Sequence, residues 1–163
     1  ASVIEVATQL LEQEALSEPI RQEALYFRAK AHLLDQQFGL AVVDLTPLAK
    51  EVRTAIGAEA KYQLAYAYLQ LGSTDLAEQE IMSFTQMQTS QQYWLAKSMI
   101  LLADINMQRD DLFQAKQYLL ALQSNYRQED DIQTIIAEKL AAIEEAENAV
   151  VEEENYETEE ESL

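Results

Sequence analysis

Residues 60–88 read AKYQLAYAYLQLGSTDLAEQEIMSFTQMQ, and within them one amphipathic segment ends at Gly72 and a second begins just after it. Apolar residues recur at three- and four-residue spacing on both sides of the glycine, as on helices with one buried face. Ala65 and Ala77 lie 12 residues apart, with Ile81 four residues further on and Phe84 three beyond that. Two antiparallel helices joined by a short turn approach closely where each presents a methyl group, so the alanine pair marks an expected crossing.

The same spacing recurs as Ala29 with Ala41 and as Ala103 with Ala115. Leu45 and Leu119 take the place of Ile81, while Leu48 and Leu122 take that of Phe84. The copies begin 36 and then 38 residues apart, counted from Ala29, Ala65 and Ala103. A period in the thirties with two helices per unit predicts a helical solenoid with hairpins over 19–53, 55–88 and 91–126. Residues 3–16 fit the second helix of a further unit, because Ala7 and Leu11 precede Ala41 and Leu45 by 34 residues. The apolar side of Val3, Val6, Leu10 and Leu11 is then expected to lack its covering helix. On this reading the chain opens in the middle of an amphipathic helix, as a fragment or processed product with any targeting segment upstream of Ala1.

Composition points the same way. A chain of 163 residues holds one domain. With 3 Gly and 2 Pro it has little material for hairpin turns or phosphate loops, and its Ala, Leu, Gln and Glu favour helix, so an all-α protein is expected. The absence of Cys excludes disulfides, cysteine-ligated metals and thiol nucleophiles. A formal charge of −18 opposes binding to nucleic acid or to anionic lipid. No apolar run approaches the roughly 20 residues that cross a bilayer, and the N-terminus lacks a signal-like block. No direct membrane insertion is expected.

Local signals refine the helices to about 19–35, 38–53, 55–71, 74–88, 91–109, 112–126 and 130–150. Ser17 is placed to cap a helix with Pro19 in its first turn. Pro47 predicts a kink or a shortened helix, and Gly57 falls near a helix start, where its intrinsic cost is small. Ile132, Ile135, Ile136, Leu140 and Ile143 form the apolar stripe of a C-terminal capping helix, 130–150. Residues 143–163 then carry 10 acidic and no basic side chains, leaving 19 acids against 11 bases elsewhere, a balance of −8. The acidic tail, 151–163, is expected to be solvated and disordered or a frayed helix.

Catalytic and metal-binding constellations find little support. The sole histidine, His32, falls beside a helix crossing and is expected to pack; Asp35 three residues on is a weak second ligand. Glu144 with Glu145, and Glu152–Glu154, lack the split environments of an acid/base dyad and the glycine punctuation of a calcium loop. Neither an enzyme nor a bound cofactor or metal is expected. Tyr93 with Trp94 opens the helix of the third copy, either as an exposed hot spot or as a staple against Met82, Met87 or the preceding helix.

Ala65, Tyr68, Gly72, Ala77, Ile81 and Phe84 fall in order at signature positions, and through them the chain resembles tetratricopeptide repeat proteins. The other copies are degenerate: His32 and Asn106 stand for Tyr68, and Gln36 and Asp110 for Gly72. Pro19 stands where a copy typically ends in proline, a place taken elsewhere by Arg53, Thr89 and Arg127. GAEAKYQLAYAYL, QYWLAKSMILLADI, DLFQAKQYLLALQSNY and DDIQTIIAEKL are further similar to the C-terminal repeats of large Bacteroidetes proteins of this family. The resemblance implies a right-handed α-solenoid over 1–150, a scaffold for protein or peptide partners, and a place in the bacterial periplasm or at the outer membrane.

In that family the first helix of each unit lines the inner surface. The resemblance places Glu23, Tyr26, Phe27 and Lys30 there, then Glu59, Tyr62, Gln63, Tyr66 and Gln70, then Lys97, Ile100, Leu101, Asp104 and Gln108. Tyr26, Lys30, Tyr62, Tyr66, Lys97 and Asp104 are the candidate peptide-binding residues. The three tyrosines form either an aromatic floor for a peptide or helix, or fillers of the gaps between repeats. Tyr26 and Tyr62 replace one lysine of the family's dicarboxylate clamp, and Lys30 and Tyr66 an asparagine, which disfavours that mode. The alternative function is an oligomerisation module that self-associates through its terminal helices.

Overall fold

The computed structural model describes residues 2–161, with side chains through Val151. Among these residues the secondary structure is helical throughout: α1 Val3–Leu11, α2 Glu18–Leu34, α3 Phe38–Leu48, α4 Ala55–Gln70, α5 Thr74–Gln86, α6 Gln92–Gln108, α7 Leu112–Asn125 and α8 Ile132–Glu161. The chain forms two compact units, one through Ser98 and one from Met99, with the division inside α6.

In the first unit each helix from α1 to α5 packs on its sequence neighbour, and α2 also touches α4. The alanines of the repeat sit at the crossings: Ala29, Ala41, Ala65 and Ala77 are fully buried. Around them close Leu45, Leu48, Ala49, Ala60 and Leu64, with Leu25, Tyr26, Leu33 and Tyr68 packed against the cluster. Phe84 is completely enclosed with Val52 and Ala58, a burial that stabilises by roughly 1.5–3 kcal/mol.

Each first helix ends in the same backbone device. After α4, Gly72 has φ +75°, its N–H reaches Leu69 O at 3.0 Å, and Ser73 N–H reaches Tyr68 O at 2.9 Å. This is the Schellman motif, which needs one left-handed residue and so favours glycine. Gln36 after α2 and Asp110 after α6 adopt the same conformation, φ 57° and 62°, and the same bond pair is present at each. His32, Tyr68 and Asn106 each supply the carbonyl that accepts from the residue five positions on. The same turn is made with glycine at one of these three positions and with Gln36 or Asp110 at the other two.

Several boundaries differ from expectation. α3 stops at Leu48 rather than 53, because Pro47 cannot donate to the carbonyl four residues earlier. α1 starts at Val3, as expected, and ends at Leu11 rather than 16. Ser2 caps it: its Oγ accepts from Glu5 N–H, and Ser2 N–H donates to Glu5 Oε2. This capping box, Ser-x-x-Glu, is written in the sequence at residues 2–5. Ser17 occupies the cap position of α2 without a side-chain hydrogen bond.

Gly57 has a role its place near a helix start did not suggest. A β-carbon there would lie 1.9 Å from Glu51 O and 2.7 Å from Glu51 C, so the first turn of α4 runs against the backbone of the preceding loop. That loop is anchored by buried Val52, whose carbonyl accepts from Thr89 Oγ1 at 2.6 Å. Beside it, Arg53 donates to both oxygens of Glu51 and draws that carboxyl down to about 2.

In the second unit Ala103 and Ile105 from α6, Ala115 and Leu119 from α7, and Ile132, Ile136 and Ile143 from α8 are fully buried. Helix α7 packs on α8. Tyr126, buried after α7, bonds through its hydroxyl to Gln128 and Asp130, fixing the turn into α8. The expected 130–150 helix begins at Ile132, and its backbone continues to Glu161, into the stretch read as a tail.

Candidate functional site

The candidate residues lie on the first helix of each hairpin, and each has a partner within the chain. Tyr26 OH on α2 donates to Glu59 Oε2 on α4 at 2.7 Å. Lys30 Nζ, one turn along α2, donates to Glu59 Oε1 at 3.0 Å and to Tyr26 OH at 3.1 Å, while standing 5.0 Å over the Tyr26 ring. Burial, with the Glu59 carboxylate beside it, pushes the Tyr26 phenol upward against the opposing influence of Lys30. The Lys30 ammonium is raised by its hydrogen bonds to Tyr26 and Glu59. Glu59, expected on the surface, is buried by this pairing.

Tyr62, next along α4, stacks on Trp94 with centroids 5.7 Å apart, and Lys97 lies 5.6 Å over the Tyr62 ring. Trp94 meets Tyr93 edge-on at 5.0 Å and packs with Met87 against the Val52–Ala58–Phe84 cluster. Of the two readings of Trp94, the staple is the one whose contacts are present. Tyr66 approaches Phe38, at the start of α3, edge-on at 6.2 Å. In the second unit Asp104 accepts from Lys139 of α8 at 2.5 Å.

Two pairs of candidates therefore come together, Tyr26 with Lys30 and Tyr62 with Lys97, while Tyr66 and Asp104 each have a separate partner. The rings remain half-exposed, so they fill gaps between helices and still present an edge outward. Ile100 and Leu101, expected at the surface, are buried in the second unit, because an apolar side chain at a helix contact is drawn inward. Glu23, Phe27, Gln70 and Gln108 are exposed as expected, and Gln63 is half-buried.

A second set of polar contacts ties helices across their other faces. Arg28 donates from Nε and Nη2 to the two oxygens of Asp44, at 2.8 and 2.7 Å, and from Nη1 to Thr8 at 3.1 Å, joining α2, α3 and α1. Asp44 is 1% exposed. Lys61, buried on α4, donates to Glu80 of α5 at 2.5 Å. Sequence periodicity does not reveal these pairs, since their members lie 16 and 19 residues apart. The signal available was a charged residue at a position the apolar stripe assigns to the core.

His32 is buried, with Nδ1 2.7 Å from Gln37 Oε1, in the packing role expected of it. Among the described residues no three His, Asp or Glu side chains gather where they could hold a metal ion. None of the described helices is long and apolar enough to cross a membrane. Comparison of the chain with protein-family models, with curated proteins and with solved structures finds no match.

Proposed function

We propose that the chain is a non-catalytic, tetratricopeptide-like interaction scaffold that engages a peptide or helical segment of a protein partner on its first helices. The observation carrying this reading is the row of half-exposed aromatic and cationic side chains on α2, α4 and the start of α6. Tyr26 and Lys30 are held by Glu59, and Tyr62 is held by Trp94 and Lys97. Side chains already fixed by their neighbours lose little further entropy when a partner arrives, which favours binding without a large ordering cost.

Tyr26 and Tyr62 each make several contacts that hold helices together, whereas Tyr66 makes one edge-on contact with Phe38, so replacing the first two would confound binding with stability more. The informative variant is Gln63→Arg with Tyr66→Ala, which alters the outward edge of α4. It is expected to keep the wild-type melting temperature within a few degrees, since such changes cost about 1 kcal/mol. Capture of the partner should fall at least about tenfold. Unchanged capture by a folded variant would place the binding surface elsewhere.

A further inference from the structure

Helix α5 is capped at its C-terminus by Met87, whose half-buried side chain packs with Trp94 against the cluster of Val52, Ala58 and Phe84. One turn back on α5, exposed Ser83 places its hydroxyl 4.0 Å from the Met87 sulfur. The direction of that hydroxyl is set from the other side, where Lys61 Nζ, buried on α4, donates to Ser83 Oγ at 3.3 Å. An ammonium has donors only, so Ser83 accepts from Lys61 and its single proton is left for Met87.

A thioether is a weak acceptor for such a donor, and 4.0 Å is wide for the bond. The separation matches instead the span of an S–O bond followed by a bent O–H···O bond of about 2.7 Å. One oxygen added to the sulfur on this side would meet a proton already aimed at it. Without that donor, a polar oxygen brought to the edge of an apolar cluster is unfavourable.

From this geometry we infer that Met87 is a methionine-oxidation site, and that Ser83, backed by Lys61, receives the oxygen of its sulfoxide so that the junction of α5 with the start of α6 stays packed. The oxidant is a small peroxide. The sulfur lone pair attacks one peroxide oxygen, and the S–O bond forms as the O–O bond breaks. The departing oxygen takes the proton of the transferred one and leaves as water; sulfur loses two electrons and the peroxide gains them. Met82, 45% exposed, is open to the same reagent and serves as an internal measure of reaction.

The full chain is treated with hydrogen peroxide until Met82 is converted, as read by peptide mass mapping, and melting temperatures are taken before and after. Wild type, Ser83→Ala, Met87→Leu and the double variant are compared. Met87 is expected to be oxidised along with Met82. Oxidation should lower the melting temperature of Ser83→Ala by at least about 3 °C more than that of wild type. That excess should vanish when Met87→Leu is added, a comparison that cancels the contribution of the other methionines. The inference is overturned if Met87 stays unoxidised while Met82 reacts, if oxidation lowers wild type and Ser83→Ala alike, or if the excess persists without Met87.

Discussion

Tyr26 and Glu59 lie 33 residues apart in the sequence and are joined by a 2.7 Å hydrogen bond from phenol to carboxylate. The bond links the first helices of two successive hairpins, and Lys30 closes it into a three-membered network. Tyr26 and Lys30 both have pKa values raised above their ordinary 10.0 and 10.5. A raised value favours the protonated form in the folded state, so the stability it brings is intact below the ordinary pKa and is lost as pH rises through the folded one. Thermal melts between about pH 8 and pH 11 should show a fall beginning near pH 10, shallower in Tyr26→Phe, whose phenol cannot ionise. A profile identical in the two proteins would remove Tyr26 from the account.

Gly57→Ala sets two effects against each other. Alanine is the better helix former, by less than the roughly 1 kcal/mol of a helix interior because residue 57 lies in the first turn, but its β-carbon would meet Glu51 O at 1.9 Å. The β-carbon is fixed by the helix backbone and the atoms it meets are backbone, so overpacking wins and a net loss of about 3 kcal/mol in a denaturant titration is expected. A stabilised variant would show that the loop yields.

The left-handed turns invite the opposite substitution. Gln36 holds φ 57° with a β-carbon that disfavours it. Gln36→Gly should therefore raise stability by about 0.5–1 kcal/mol, the relief exceeding the added entropy of the unfolded chain, whereas Gly72→Gln should lower it by about 1 kcal/mol. Melting curves of the two variants should move in opposite directions.

Asp44 is the buried charge with most at stake. Asp44→Ala strands Arg28 beside the core and should cost about 3–5 kcal/mol, while the double change Asp44→Leu with Arg28→Met should recover much of the loss. Equal instability of single and double variants would mean that the site depends on the ion pair itself.

These cases show what a sequence exposes. Ala29, Ala41, Ala65, Ala77, Ala103 and Ala115, singled out by spacing alone, are all completely buried, because burial of an apolar group follows from periodicity. Glu59, Asp44 and Gly57 escaped, because their environments are set by partners on other helices or, for Gly57, by one loop carbonyl, none of which leaves a periodic trace. The candidate site was legible as a set of positions on the first helices. Its pairing of Tyr26 with Lys30 and of Tyr62 with Lys97 depended on side-chain geometry that spacing does not encode.

The most direct measurement is site-specific photo-crosslinking in the native cell, with the crosslinking residue at Gln63 on α4 or at exposed Val43 on α3. The account predicts a discrete crosslinked protein from position 63 that is absent from position 43, and that disappears when Tyr66→Ala is added. The same products from both positions, or none from position 63, would contradict it.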